Sequence, residues 1–189
     1  MKRLLSKALL TLILALWVLP GLAGASDDLQ DITNFQRYSK TLASSGQPDS
    51  QQLQQLAEQG VERIIYLAYS DNDSAIVAED RKVLELGMDY VHIPVHYAKP
   101  TLADFQYMAA VLQIQPDKHT LIHCQINYRA SVFSFLYRIV FLGTPVSEAL
   151  ADMQQVWQPY GVWLDYIHQV AGHYDINLDC DQCNWRTAN

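Results

Sequence analysis

The chain has no run of lysines or arginines, no second Cys-x-x-Cys, no cysteine directly after its first apolar stretch, and no internal repeat or low-complexity segment. With 13 Lys and Arg against 20 Asp and Glu, bulk charge does not favour nucleic acid or an anionic membrane, so any anion site has to be local. Cys180-Asp181-Gln182-Cys183 has only His173 near it in sequence, fewer donors than a tetrahedral zinc site takes. Neither a metal nor another cofactor is expected. Cys180 and Cys183 are read first as a structural disulfide, with free thiols or a redox or metal pair as alternatives. The missing cysteine after the apolar stretch speaks against a lipid anchor, and the missing repeat excludes a solenoid.

What is present begins with Lys2, Arg3 and Lys7, an apolar stretch Ala8 to Leu19, and the small residues Ala23-Gly24-Ala25. This is the pattern of a secretory signal peptide over residues 1–25. The stretch is short and broken by Pro20, which suits a cleaved signal better than a membrane anchor. The expectation is a periplasmic or secreted protein, free of the membrane after cleavage. Loss of those 25 residues leaves 164, with formal charge going from −7 to −10. Residues 26–189 are enough for one domain and little more.

Along that domain, Asp49 to Gln59 predicts an amphipathic helix stopped by Gly60, and Val61 to Leu67 a strand. A polar loop, Ser70 to Ser74, precedes a helical pattern over 75–86, and Tyr90 to Val95 reads as a second strand. Thr101 caps a helix reaching about Gln113, with Asp104 in the reciprocal capping position. Thr120 to His123 is a short apolar strand, followed by helical patterns over 131–142, from Pro145 onward, and over 163–170. Strands alternating with helices predict an α/β fold, a three-layer sandwich with a mainly parallel central sheet.

The third strand delivers the chain to His123-Cys124-Gln125-Ile126-Asn127-Tyr128-Arg129-Ala130-Ser131. Ligands of open α/β sheets bind at this end of the strands. A loop entering a helix points free backbone N–H groups at one spot, and the helix dipole adds about half a positive charge. The same field favours a thiolate at Cys124, whose unperturbed pKa is about 8.5. Arg129 adds a fixed charge and a two-pronged donor for phosphate or sulfate. Together these are the parts of a nucleophilic anion-transfer site.

This loop resembles the active-site loop of the cysteine-dependent protein tyrosine and dual-specificity phosphatases. The wider chain is similar to a bacterial branch of that superfamily through Ser44-Ser45-Gly46-Gln47-Pro48, Ile64 to Leu67, His92 to Val95 and His123-Cys124. The resemblance implies a Cys124 nucleophile and a phosphocysteine intermediate. It also implies a phosphate bound by Gln125, Ile126, Asn127, Tyr128, Arg129 and Ser131, a supporting His123, and a phosphorylated protein or small phosphate ester as partner.

Two features depart from the family pattern. Four residues separate Cys124 from Arg129 instead of five, and Ala130 stands between Arg129 and Ser131. One residue at a helix start turns a side chain by about 100°, so Arg129 reaches an anion only if the loop is reshaped. No Asp follows Tyr90 to Val95 as a general acid; His96 takes that place as the candidate proton donor. Asp71 and Asp73 read as solvated turn residues, and Trp157, Tyr160 and Trp163 as packing aromatics. Two other functions stay open: sulfur transfer resembling the rhodaneses, whose loop has the four-residue spacing, and oxyanion binding without catalysis.

Overall fold

A computed structural model describes residues 28–185, and the segment 1–25 read as a signal peptide lies outside the described residues. Five strands form one sheet in the order β1-β2-β5-β3-β4, where β1 is Gln36–Arg37, β2 Leu42–Ser45, β3 Arg63–Tyr66, β4 Asp89–His92 and β5 Thr120–His123. Only the β1–β2 pair is antiparallel; β2, β5, β3 and β4 run parallel. This is the mainly parallel sheet that the alternation of elements predicts.

Successive side chains of a strand face opposite ways, and the core divides accordingly. Ala43, Ile64 and Leu121 pack with Leu53, Leu56 and Val83, the apolar faces of α1 (Ser50–Glu58) and α2 (Glu79–Glu85). Leu42, Ile65 and Ile122 pack with Phe105, Phe133, Leu150 and Ile167. Those four come from α3 (Leu102–Ile114), α4 (Tyr128–Phe141), α5 (Val146–Val156) and α6 (Val162–His173). The result is three layers, helix, sheet and helix.

Local chemistry sets the helix starts. Asp49 caps α1 by accepting from the N–H groups of Gln51 and Gln52, and the Gln52 side chain returns to the Asp49 N–H. Thr101 and Asp104 form the same reciprocal box on α3, which fixes Asp104 as a cap. Arg63, buried in β3, donates to the carbonyls of Val111 and Gln115 at the C-terminal end of α3 and to Thr120 Oγ1. It thereby satisfies carbonyls a helix end leaves open.

Several expected bounds shift. β1 and β2 were not visible as strands, because two residues and the polar pair Ser44-Ser45 carry no apolar alternation. β4 stops at His92, so Pro94 and Val95 lie beyond the sheet. The helix expected over 75–86 begins at Glu79, since Ala78 takes a left-handed conformation at φ 55°. Most consequential, α4 begins at Tyr128 and not Ser131, which places Arg129 in its first turn.

Candidate active site

The site is built where β5 ends and α4 begins. Cys124 follows the last residue of β5 and is buried, with 1% of its surface exposed. Its N–H donates to Ser45 O at 3.3 Å. Asn127 then turns the chain into α4 at φ 71°, a left-handed position that Asn tolerates better than most residues. Its side-chain amide donates to Asn34 O at 2.6 Å and Asn34 donates to Ile126 O at 3.0 Å. The turn is therefore tied to the segment before β1.

A second clamp comes from Gly46-Gln47. Gln47 N–H donates to Gln125 O at 3.0 Å, and Gly46 forms an isolated bridge with Ile126. A Cβ on Gly46 would sit 2.8 Å from Thr33 Cβ and 2.9 Å from Gln125 O. Only glycine allows this approach.

A pocket of 270 Å³ opens on Cys124, lined by Tyr97, Gln125, Ile126, Tyr128 and Arg129. Arg129 is thus on the same pocket as Cys124 despite its one-residue displacement. Its guanidinium donates to Val95 O at 3.0 Å through Nη1 and to Gln125 Oε1 at 2.6 Å through Nη2. It also lies 5.7 Å from the centre of the Tyr97 ring, close enough for cation–π attraction. Its Nε is buried without a partner among the described residues. The N–H groups of Gln125, Ile126, Tyr128 and Arg129 make no hydrogen bond with the described residues, as the open end of a helix dictates.

Tyr128 stacks on Trp157 with centroids 4.3 Å apart and planes at 2°. Trp157 Nε1 donates to Ser131 Oγ at 3.2 Å, and that hydroxyl donates to Tyr128 O at 3.1 Å. Ser131 is engaged with these two partners. His96 does not line the pocket; its Nδ1 accepts from Ala98 N–H at 3.1 Å, which makes Nε2 the proton-bearing nitrogen of the neutral ring. His123 is wholly buried beneath the loop, and burial holds its imidazole down at about pKa 3. The disulfide joins Cys180 to Cys183, while Cys124 is a free thiol. Among the described residues, no three His, Cys, Asp or Glu side chains gather to hold a metal.

Sequence reasoning missed one buried acid. Glu79 is 5% exposed, and it accepts from Gln47 Nε2 at 2.7 Å and Tyr90 OH at 3.2 Å. Burial pushes its carboxyl up to about 7. Nothing in a Glu within the helical pattern over 75–86 signals this, because packing alone decides which residue of a turn is covered.

A buried cysteine and an arginine thus line one pocket at a strand-to-helix turn. No protein-family model matches the chain, and no curated protein sequence does. Solved structures do. A candidate phosphatase of the DUF442 family from Shewanella putrefaciens CN-32 is 32% identical, with TM-score 0.72, over 78% of this chain and 97% of that one. A Cys-to-Ser form of TpbA from P. aeruginosa, in complex with pTyr, is 25% identical, with TM-score 0.53, over 65% of this chain and 72% of that one. PTPMT1 in complex with PI(5)P, 13% identical with TM-score 0.64 over 75% of this chain and 96% of that one, shares the fold. The chain belongs to the bacterial DUF442 branch of the tyrosine and dual-specificity phosphatase-type proteins.

Proposed function

We propose that this protein hydrolyses phosphate monoesters through Cys124. The observation that carries the reading is the shared pocket of the Cys124 thiol and the Arg129 guanidinium, at the open N-terminal end of α4. The thiolate attacks phosphorus in line with the ester oxygen; the sulfur–phosphorus bond forms as the ester bond breaks, and the leaving oxygen takes a proton. Water then displaces the sulfur, releasing phosphate and restoring the thiolate. Free N–H groups of the loop and Arg129 hold the equatorial oxygens, where negative charge is spread in the transition state.

His96 does not line the pocket, and with Nδ1 accepting from Ala98 N–H its neutral ring is no acid, so in this reading the leaving oxygen takes its proton from water at the pocket mouth. The narrow, largely apolar mouth of Tyr97, Ile126 and Tyr128 suits an aryl phosphate. The pTyr complex of TpbA and the PI(5)P complex of PTPMT1 support phosphate esters as the substrate class. The work is done outside the cytoplasm; the residue pattern at 1–25 and the Cys180–Cys183 disulfide support this location, and cell fractionation tests it.

The functional test is metal-free hydrolysis of an aryl phosphate under reducing conditions by the parent, Cys124→Ser and Arg129→Ala. Activity in the parent that is lost in both variants supports the reading. A folded, thiol-competent parent without activity overturns it, and turnover of thiosulfate with cyanide would then assign sulfur transfer, to which the four-residue spacing of Cys124 and Arg129 is suited.

A further inference from the structure

Behind the Cys124 loop, β4, β3 and β5 end in a row of rings. His92, Tyr66 and His123 are in register across the three strands. Tyr66 stacks on His92 at 5.1 Å and on His123 at 4.6 Å. Tyr66 and His123 follow Ile64 and Leu121 by two residues, so they face the α1 and α2 layer. Glu79, the first residue of α2, comes down on that face with Oε1 3.4 Å from His123 Nε2. Neither nitrogen of the buried His123 ring has a hydrogen-bond partner among the described residues; the Glu79 carboxyl lies beside Nε2, and the Cys124 backbone also acts on the ring.

The same carboxyl holds the Gln47 side chain, whose backbone N–H clamps Gln125 O in the cysteine loop. It therefore touches both supports of Cys124, the residue before it and the segment after β2 that braces the residue after it. We propose that Glu79 is a positioning residue for Cys124, determining through His123 which imidazole nitrogen carries the proton and so how the base of the loop is held. This rests on Cys124 being the reactive group.

The chemistry follows from which partner takes a proton. Full burial disfavours an imidazolium at His123 more strongly than a neutral acid at Glu79. The proton therefore resides on Glu79 in the acidic form of the pair. A protonated Glu79 presents O–H to Nε2, leaving the ring hydrogen on Nδ1. An ionised Glu79 demands the hydrogen on Nε2. The proton that leaves passes to solvent through a second, larger pocket of 730 Å³, lined by Glu79, Tyr90, Tyr66, His92 and Asp80. The groups facing Glu79 are Tyr90 and His123 from the sheet, with Tyr66 and His92 beside them, neutral Gln47 ahead of α1, and Asp80 on its own helix. None is a cation that would stabilise the carboxylate permanently, which leaves the pair able to switch near neutral pH.

The test reads Cys124 and His123 directly, so it stands apart from phosphatase activity. Cys124 is the free thiol while the Cys180–Cys183 disulfide is intact, and its alkylation by iodoacetamide is followed from pH 5.5 to 8.5 in the parent and in Glu79→Gln. Gln keeps the size and the acceptor oxygen but never ionises. The rates are expected to coincide below about pH 6. Above pH 7 the variant should react roughly threefold faster, because the buried negative charge beside His123, the residue before Cys124, is gone. In parallel, nitrogen NMR of labelled histidine in the parent is expected to show His123 exchanging one neutral tautomer for the other around pH 7. Superimposable rate curves, or a His123 signal unchanged across the range, would overturn the proposal; the NMR arm needs no variant to fold.

Discussion

Arg129 Nη2 donates to Gln125 Oε1 at 2.6 Å inside the pocket that holds Cys124. A guanidinium only donates, so this contact fixes the carboxamide oxygen toward Arg129 and turns the amide NH₂ away from it. Gln125 thus occupies one prong of the fork while leaving the site's positive charge intact.

Gln125→Glu would put a carboxylate on that prong and neutralise the pocket. Inhibition by vanadate or inorganic phosphate is expected to weaken at least tenfold, about 1.4 kcal/mol. Gln125→Ala frees Nη2 for the anion and should keep or tighten that inhibition. A Glu variant that binds anion as well as the parent would mean that Arg129 does not reach it.

The Tyr128–Trp157 stack supports the pocket wall. Trp157 is 8% exposed, so Trp157→Ala is expected to cost about 3–5 kcal/mol in urea unfolding. Trp157→Phe keeps an aromatic face but removes the donor to Ser131 Oγ, with an expected loss of about 1 kcal/mol. If both variants unfolded at the parent's midpoint, the stack would have no stabilising role.

Gly46→Ala drives a methyl into Thr33 and the Gln125 carbonyl. Because one obstacle is backbone of the cysteine loop, the strain is not relieved by a side-chain rotation. A loss of about 1–3 kcal/mol is expected, together with reduced aryl phosphate turnover. A wild-type rate would show that the loop tolerates displacement.

Glu79 and His123 make opposite demands on stability as pH changes. Glu79 is raised from 4.5 to about 7. Between those values the unfolded chain has released a proton that the folded chain keeps, and stability falls as pH rises. His123 is lowered from 6.5 to about 3; over that span the unfolded chain holds the extra proton, and stability rises with pH. The two slopes, each about 1.4 kcal/mol per pH unit, oppose each other from pH 4.5 to 6.5. The parent's unfolding free energy should be flat there, whereas Glu79→Gln should gain stability with rising pH. A flat profile in the variant would refute the opposition.

Much of the fold was legible because it rests on periodicity. The strands around Ile64 and Leu121 are short apolar runs, the helices carry their caps at Asp49 and Thr101, and alternation of the two gives the parallel sheet. Cys124 and Arg129 were legible for a similar reason, since a cysteine and an arginine at a strand-to-helix turn have a chemistry that depends on local order. β2 was not legible: Leu42-Ala43-Ser44-Ser45 is a strand by its pairing with β5, not by its own residues.

What the sequence determined by itself, then, was what neighbouring residues impose on one another: caps, apolar faces, and the succession of strand, cysteine loop and helix. The tertiary structure alone decided which side chains were buried together. It set Arg129 against Val95 and Gln125, seated Gly46 on the Gln125 carbonyl, and brought Glu79 over His123 from 44 positions earlier in the chain. Such contacts arise from the packing of a helix on a sheet, where exclusion of water changes what a carboxyl or an imidazole will bind, and no run of consecutive residues encodes that exclusion.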